Sequence, residues 1–192
     1  MSHTQEHSQG MPLLQKWGIV LSCALVYYAL FDLNFKLFEE LEFSSGVNWI
    51  FLPSGLRLLF VLIFSGYGAV GIVAGSALVN YTYGDEHNHV FNVVTAIISG
   101  AAPYLSRLIV LDHFGLSTDL AGMRPKVFFR ITIIFALLSA TLHQLWFSWH
   151  GQTQDFLLST FVMFVGDWLG TVLVIALSHW LLKALGVSHH YE

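Results

Sequence analysis

Apolar residues in this chain come in blocks long enough to cross a lipid bilayer, and those blocks fill almost the whole sequence. A hydrocarbon core needs about 20 predominantly apolar residues per helix. Inside it, backbone groups must be satisfied within the helix or within a closed barrel. The runs here are continuous and not alternating, which predicts an all-α fold. Charge agrees: 10% of the 192 residues are charged, against about 25% in an ordinary soluble domain. The expectation is a polytopic membrane protein with six transmembrane helices and little sequence left for a soluble domain.

Residues 1–15 are polar, contain histidines and lack periodicity, so they read as a disordered tail. Residues 16–186 read as a single transmembrane helical domain, and 187–192 as a short second tail. The first span runs from Trp17 to Phe38, carries Asp32, Asn34 and Lys36 in its last turns, and is closed by Glu39, Glu40 and Glu42. From Trp49 to Tyr81 the apolar character is too long for one helix and divides at Ser65-Gly66 into two short spans. A polar loop, Gly84 to His89, precedes the fourth span, Val90 to Leu111, where Pro103 predicts a kink. Val127 to Phe147 forms the fifth. The sixth, Phe156 to Leu185, holds Gly166-Asp167-Trp168-Leu169-Gly170 in its middle, which predicts a long, tilted or locally broken span.

Orientation follows from the cations, because short cytoplasmic loops are enriched in Lys and Arg. Lys16, Arg107, Arg124, Lys126, Arg130 and Lys183 fall on the side of both termini, whereas Lys36 stands alone opposite, beside Glu39, Glu40, Glu42, Asp85, Glu86 and Asp155. Both termini are therefore expected in the cytoplasm, in a multi-pass protein of a bacterial inner membrane. Trp17, Trp49, Trp146, Trp149 and Trp180 lie near span ends, where indoles anchor at headgroups.

Composition also narrows function. A net charge of −4 leaves no basic face for nucleic-acid phosphates. The single Cys23 rules out an internal disulfide or a multi-cysteine metal site. Every lysine sits at a span end, and no serine has a histidine evidently placed to activate it, the nearest candidate being Ser76, so neither a retinal Schiff base nor an enzyme is expected. His143 with His89, or His179 with His113, are the pairs that haem ligation would need, but a hydrogen-bonded His143 without metal or cofactor is the simpler expectation. Gly71-x-x-x-Gly75 and Gly166-x-x-x-Gly170 place small residues on one helix face and predict close helix packing.

Two charges carry the strongest functional signal. Arg57 and Asp167 both lie about 12 to 18 Å from the same surface at the helical rise. An isolated charge at such depth costs about 2.5 to 3.5 kcal/mol and usually pairs inside the bundle. The two are expected to face each other or share a polar cavity, as a fixed register clamp or as the recognition groups for a small polar ligand or ion. Both stand beside backbone irregularities, Pro53-Ser54-Gly55 and the Gly166 to Gly170 pair. The candidate ligand-binding set is Arg57, Asp167, Trp49, Pro53, Ser54, His143 and Trp168.

Trp49-Ile50-Phe51-Leu52-Pro53-Ser54-Gly55, continuing through Gly68 to Gly75-Ser76, and Gly166-Asp167-Trp168-Leu169-Gly170 followed by Thr171-Val172-Leu173-Val174, resemble the MASE-type integral membrane sensor domains, specifically the first-described family of membrane-associated sensors. The resemblance implies a sensor scaffold of the kind found N-terminal to diguanylate cyclases, phosphodiesterases or histidine kinases. Here it would be a stand-alone module with fewer spans, signalling through a cytoplasmic protein. Two other readings stay open: a substrate-binding membrane subunit like those of energy-coupling-factor transporters, and a purely structural membrane protein.

Overall fold

The computed structural model describes residues 11–84, 88–114 and 125–185. Six α-helices form it: α1 (Leu13–Phe38), α2 (Pro53–Phe64), α3 (Gly66–Tyr83), α4 (His89–Phe114), α5 (Pro125–Trp149) and α6 (Phe156–Ala184). Between α1 and α2 lie one 3-10 turn, Glu39–Leu41, and an antiparallel hairpin of β1 (Glu42–Ser44) and β2 (Val47–Asn48). Helices α1, α4, α5 and α6 are long and apolar enough to cross a membrane. By contrast, α2 has 12 residues, about 18 Å of helix, and α3 is diluted by glycine and tyrosine.

An apolar core around Leu58, Ile72, Ile131 and Phe135 is joined by an exterior unlike that of a water-soluble bundle. Large apolar side chains such as Leu21, Leu25, Ile63, Val93, Leu137 and Leu173 point outward, while Ser54, Ser76, Ser99, Ser106, Ser139 and Thr171 are buried. In water such an exterior would be one contiguous sticky patch. Lipid tails would solvate it without cost, and small hydroxyl residues would then suit the helix contacts.

The helix ends show where local sequence wins. Ser65, with φ +52°, reverses the chain between α2 and α3, so the expected division at Ser65-Gly66 stands. Helix α1 begins at Leu13, directly after Pro12, so Leu13, Leu14 and Gln15, expected in the tail, are helical. Pro103 lies inside a continuous α4.

Packing centres on α2, which touches all five other helices. Helices α1 and α3 run side by side, with Gly71 against Val20 and Cys23, and Gly75 against Ala24 and Tyr27. That glycine pair performs the close packing its spacing predicts.

The second pair does something else. Helix α6 runs unbroken for 29 residues through Gly166 and Gly170, so the long span is what forms there and a local break does not. The irregular backbone lies opposite, in the non-helical stretch that leads from β2 into α2. The carbonyls of Asn48 and Phe51 occupy the space a side chain at Gly166 and Gly170 would need. Phe51 N–H donates to the Gly166 carbonyl at 3.2 Å. The stretch therefore descends along α6, and α2 begins only at Pro53, a residue suited to a first helical position because it has no N–H to leave unpaired. Asn34 of α1 accepts the Leu52 N–H at 2.9 Å, capping α2 from a neighbouring helix.

Candidate functional site

The descent of residues 48–52 decides the depth of the site. Asp167 is eleven residues past Phe156, about 17 Å down α6, and α2 starts at that level. Ser54 Oγ lies 2.6 Å from the Asp167 carbonyl and 3.1 Å from Thr171 Oγ1. Thr171 Oγ1 donates to the same carbonyl at 2.7 Å. These bonds fix the start of α2 to the middle of α6 and hold Arg57, one turn further on, toward Asp167.

Arg57 and Asp167 are each 2% exposed. Arg57 Nη1 stands 3.9 Å from Asp167 Oδ1, within Coulombic reach but beyond a hydrogen bond. The guanidinium donates elsewhere: Nε to the Ser99 carbonyl at 3.0 Å and Nη2 to Ser139 Oγ at 3.1 Å. Its other face lies 5.3 Å from the Phe135 ring centre, in cation–π range. Asp167 Oδ2, in contrast, has no hydrogen-bond partner among the described residues.

A hydroxyl and imidazole network adjoins the charges. His143 Nδ1 lies 2.8 Å from the Ser139 carbonyl; a carbonyl only accepts, so Nδ1 carries a proton. Its Nε2 faces Ser99 Oγ at 3.3 Å, and Ser76 Oγ donates to Ser99 Oγ at 3.2 Å. The single Ser99 hydroxyl proton has a second acceptor, the Thr95 carbonyl at 3.0 Å, so His143 does not hold it alone.

A cavity of about 390 Å³ runs from the hairpin end of the bundle to these groups. Glu42, Ser45, Gly46, Gly84, Asn88 and Gln152 line its mouth. Phe31, Phe35, Phe51, Tyr83, Phe91 and Phe147 form aromatic walls, and Tyr27, Arg57, Ser76, Ser99, Ser139, His143 and Asp167 form the floor. All six helices contribute. The size suits a small organic molecule, and aromatic walls with a few convergent polar groups are the usual make-up of a ligand pocket.

Of the sequence candidates, the structure brings Arg57, Asp167 and His143 together on the floor. Ser54 and Pro53 stand behind them, anchoring and starting α2. Trp49 packs edge-on against Phe43, and Trp168 packs edge-on against Phe129, both away from the cavity lining. His89 and His179 are exposed, far in burial from His143; the side chain of His113 lies outside the described residues. Among the described residues, no group of three or more His, Cys, Asp or Glu side chains is placed to hold a metal ion. Sequence reasoning missed Tyr27, Ser99 and Ser139, and weighed Ser76 only as a nucleophile. Ser139 and His143 are one helical turn apart, a spacing that places them on one face and could have drawn attention to the pair.

No family model, curated protein or solved structure matches this chain.

Proposed function

We propose that this protein is a membrane-embedded sensor or receptor module that takes a small polar ligand or ion into the cavity above Arg57 and Asp167. In this reading all six helices cross the bilayer, both termini lie in the cytoplasm, and the cavity faces the opposite side. The cation asymmetry supports that orientation, since the mouth carries Glu42 while Lys16 and Lys183 lie at the outer ends of α1 and α6. The MASE-like motifs at 49–55 and 166–174 support the sensor role, with a cytoplasmic signalling protein as recipient. Ligand contact with Arg57 and Asp167 would bias α2, which touches every other helix, and a helix shift of this kind is a familiar switching element.

The observation that carries the proposal is Asp167, which lines the cavity floor and whose buried Oδ2 has no hydrogen-bond partner among the described residues. An unmet buried acceptor is costly, and a ligand donor would relieve it. The test is a thermal-shift screen of the purified chain against amino acids, vitamins, osmolytes and simple ions, with Arg57→Gln beside the wild type. A ligand at 100 times its dissociation constant stabilises the native state by about 2.7 kcal/mol. A shift seen in the wild type and lost in Arg57→Gln supports the reading; no shift with any compound makes the pair a structural clamp.

One observation favours transport as the second reading. Non-helical backbone entering a half-length helix beside a cavity, as at residues 48–52, is how many transporters build a substrate site. Uptake into proteoliposomes that Arg57→Gln abolishes would select it, whereas binding without uptake, together with a co-purifying cytoplasmic partner, would select the sensor.

A further inference from the structure

The hydrogen-bond state of the cavity floor indicates the charge of what it accepts. Most donors there are engaged, although the Thr95 hydroxyl in the lining, which can donate or accept, has no partner among the described residues. Arg57 gives Nε to Ser99 and Nη2 to Ser139 and turns Nη1 toward Asp167. The start of α2 offers no open amide for an anion: Leu52 N–H goes to Asn34, Ser54 N–H to Phe51, Gly55 N–H to Leu52, and Pro53 has none. His143 Nδ1 is bonded to the Ser139 carbonyl.

Acceptors are not all taken. Asp167 lines the floor, and its Oδ2 has no partner among the described residues. The lining holds one guanidinium, Arg57, against two carboxylates, Asp167 and the rim residue Glu42. Arg57 is itself drawn back against Phe135. Above the floor stand Phe31, Phe51, Phe91 and Phe147, whose ring faces attract a cation and repel an anion.

Resting on the ligand-cavity reading above, we propose that the cavity selects a small organic monocation. It is an amine whose ammonium group donates to Asp167 Oδ2 and whose hydrocarbon body lies among the aromatic rings. Glu42 at the mouth draws such a cation inward along the cavity axis.

Four probes with one phenylethyl body and different charge test this: 2-phenylethylammonium, phenylalanine, 2-phenylethanol and 3-phenylpropionate. Each is titrated against the full chain in lipid nanodiscs, with thermal stability as the readout. The ammonium should give a saturable rise in Tm, with the other three at least about tenfold weaker, and Asp167→Asn should weaken it at least about thirtyfold, as loss of a buried charge partner does. Should Asp167→Asn fail to fold, Glu42→Gln at the exposed rim supplies the second reading: ammonium affinity falls about two- to threefold, and its salt dependence shrinks. Preference for phenylpropionate or phenylalanine would overturn the amine class while leaving a ligand cavity in place.

If no probe shifts Tm, the amine proposal fails. Thr95→Cys, a lining position, is then challenged in a Cys23→Ala background with a trimethylammonium thiosulfonate and its sulfonate counterpart. Reaction with either confines the failure to ligand class. Reaction with neither overturns the open cavity as well.

Discussion

Arg57 Nη1 and Asp167 Oδ1 face each other across 3.9 Å without a hydrogen bond between them, and each completes its surroundings with other partners or with none. The arrangement is a buried charge pair with slack. Removing one member leaves the other buried and uncompensated, which typically costs about 3 to 5 kcal/mol. Arg57→Gln and Asp167→Asn should each lower stability on that scale in a reversible detergent-denaturation experiment. The double variant should recover most of the loss. Two additive losses would show that the charges do not sense each other.

Gly170 lies under the Phe51 carbonyl and Gly166 under that of Asn48. Alanine at either position drives a methyl into backbone, and overpacking of this kind costs about 1 to 3 kcal/mol. Gly18 in α1 has open space around it, so Gly18→Ala should be neutral or stabilising by up to about 1 kcal/mol through helix propensity. Thermal unfolding of the three variants decides; equal effects at Gly18 and Gly170 would contradict the placement of residues 48–52.

Asn34 caps α2 from α1 through one acceptor atom. Asn34→Leu should cost about 1 to 2 kcal/mol, the usual range for a lost cap. Asn34→Asp keeps the acceptor and should retain most of the stability, since a carboxylate is also favourable at a helix N-terminus. Loss of equal size in both variants would mean that shape, not the bond to Leu52, is what counts.

Six crossings can be read by labelling. In a Cys23→Ala background, cysteines at Ser45 and Gln152 should react with a membrane-impermeant maleimide from one face only, and cysteines at Gln15 and Leu185 from the other. Ser45 and Gln152 reacting from opposite faces would break the six-span count.

Much of this was readable before any coordinates. Two charges at equal depth in apolar runs have few alternatives to meeting, and Arg57 and Asp167 do meet. A reversal was needed somewhere within Trp49 to Tyr81, and Ser65-Gly66 was the small, polar place for it. What escaped was the descent of residues 48–52. Its apolar composition matches a helix, and only the bonds to Gly166 and Asn34, made by distant parts of the chain, favour non-helical backbone. The same holds for Ser76, Ser99 and Ser139: a lone serine in an apolar run is commonplace, and its meaning comes from the helix it faces.

The bond from Ser54 to Asp167 spans 113 residues, and that separation sets an order of assembly. Helix α2 is short, carries an arginine, and starts on a seat provided by α6. During synthesis it leaves the ribosome long before that seat exists, so it must wait, loosely held by α1 and α3, until the sixth helix arrives. A nascent chain arrested after Gln152 should therefore leave a cysteine at Ser54 reactive toward a thiol reagent, and the completed protein should protect it. The least independent helix in the bundle is also the last to find its place.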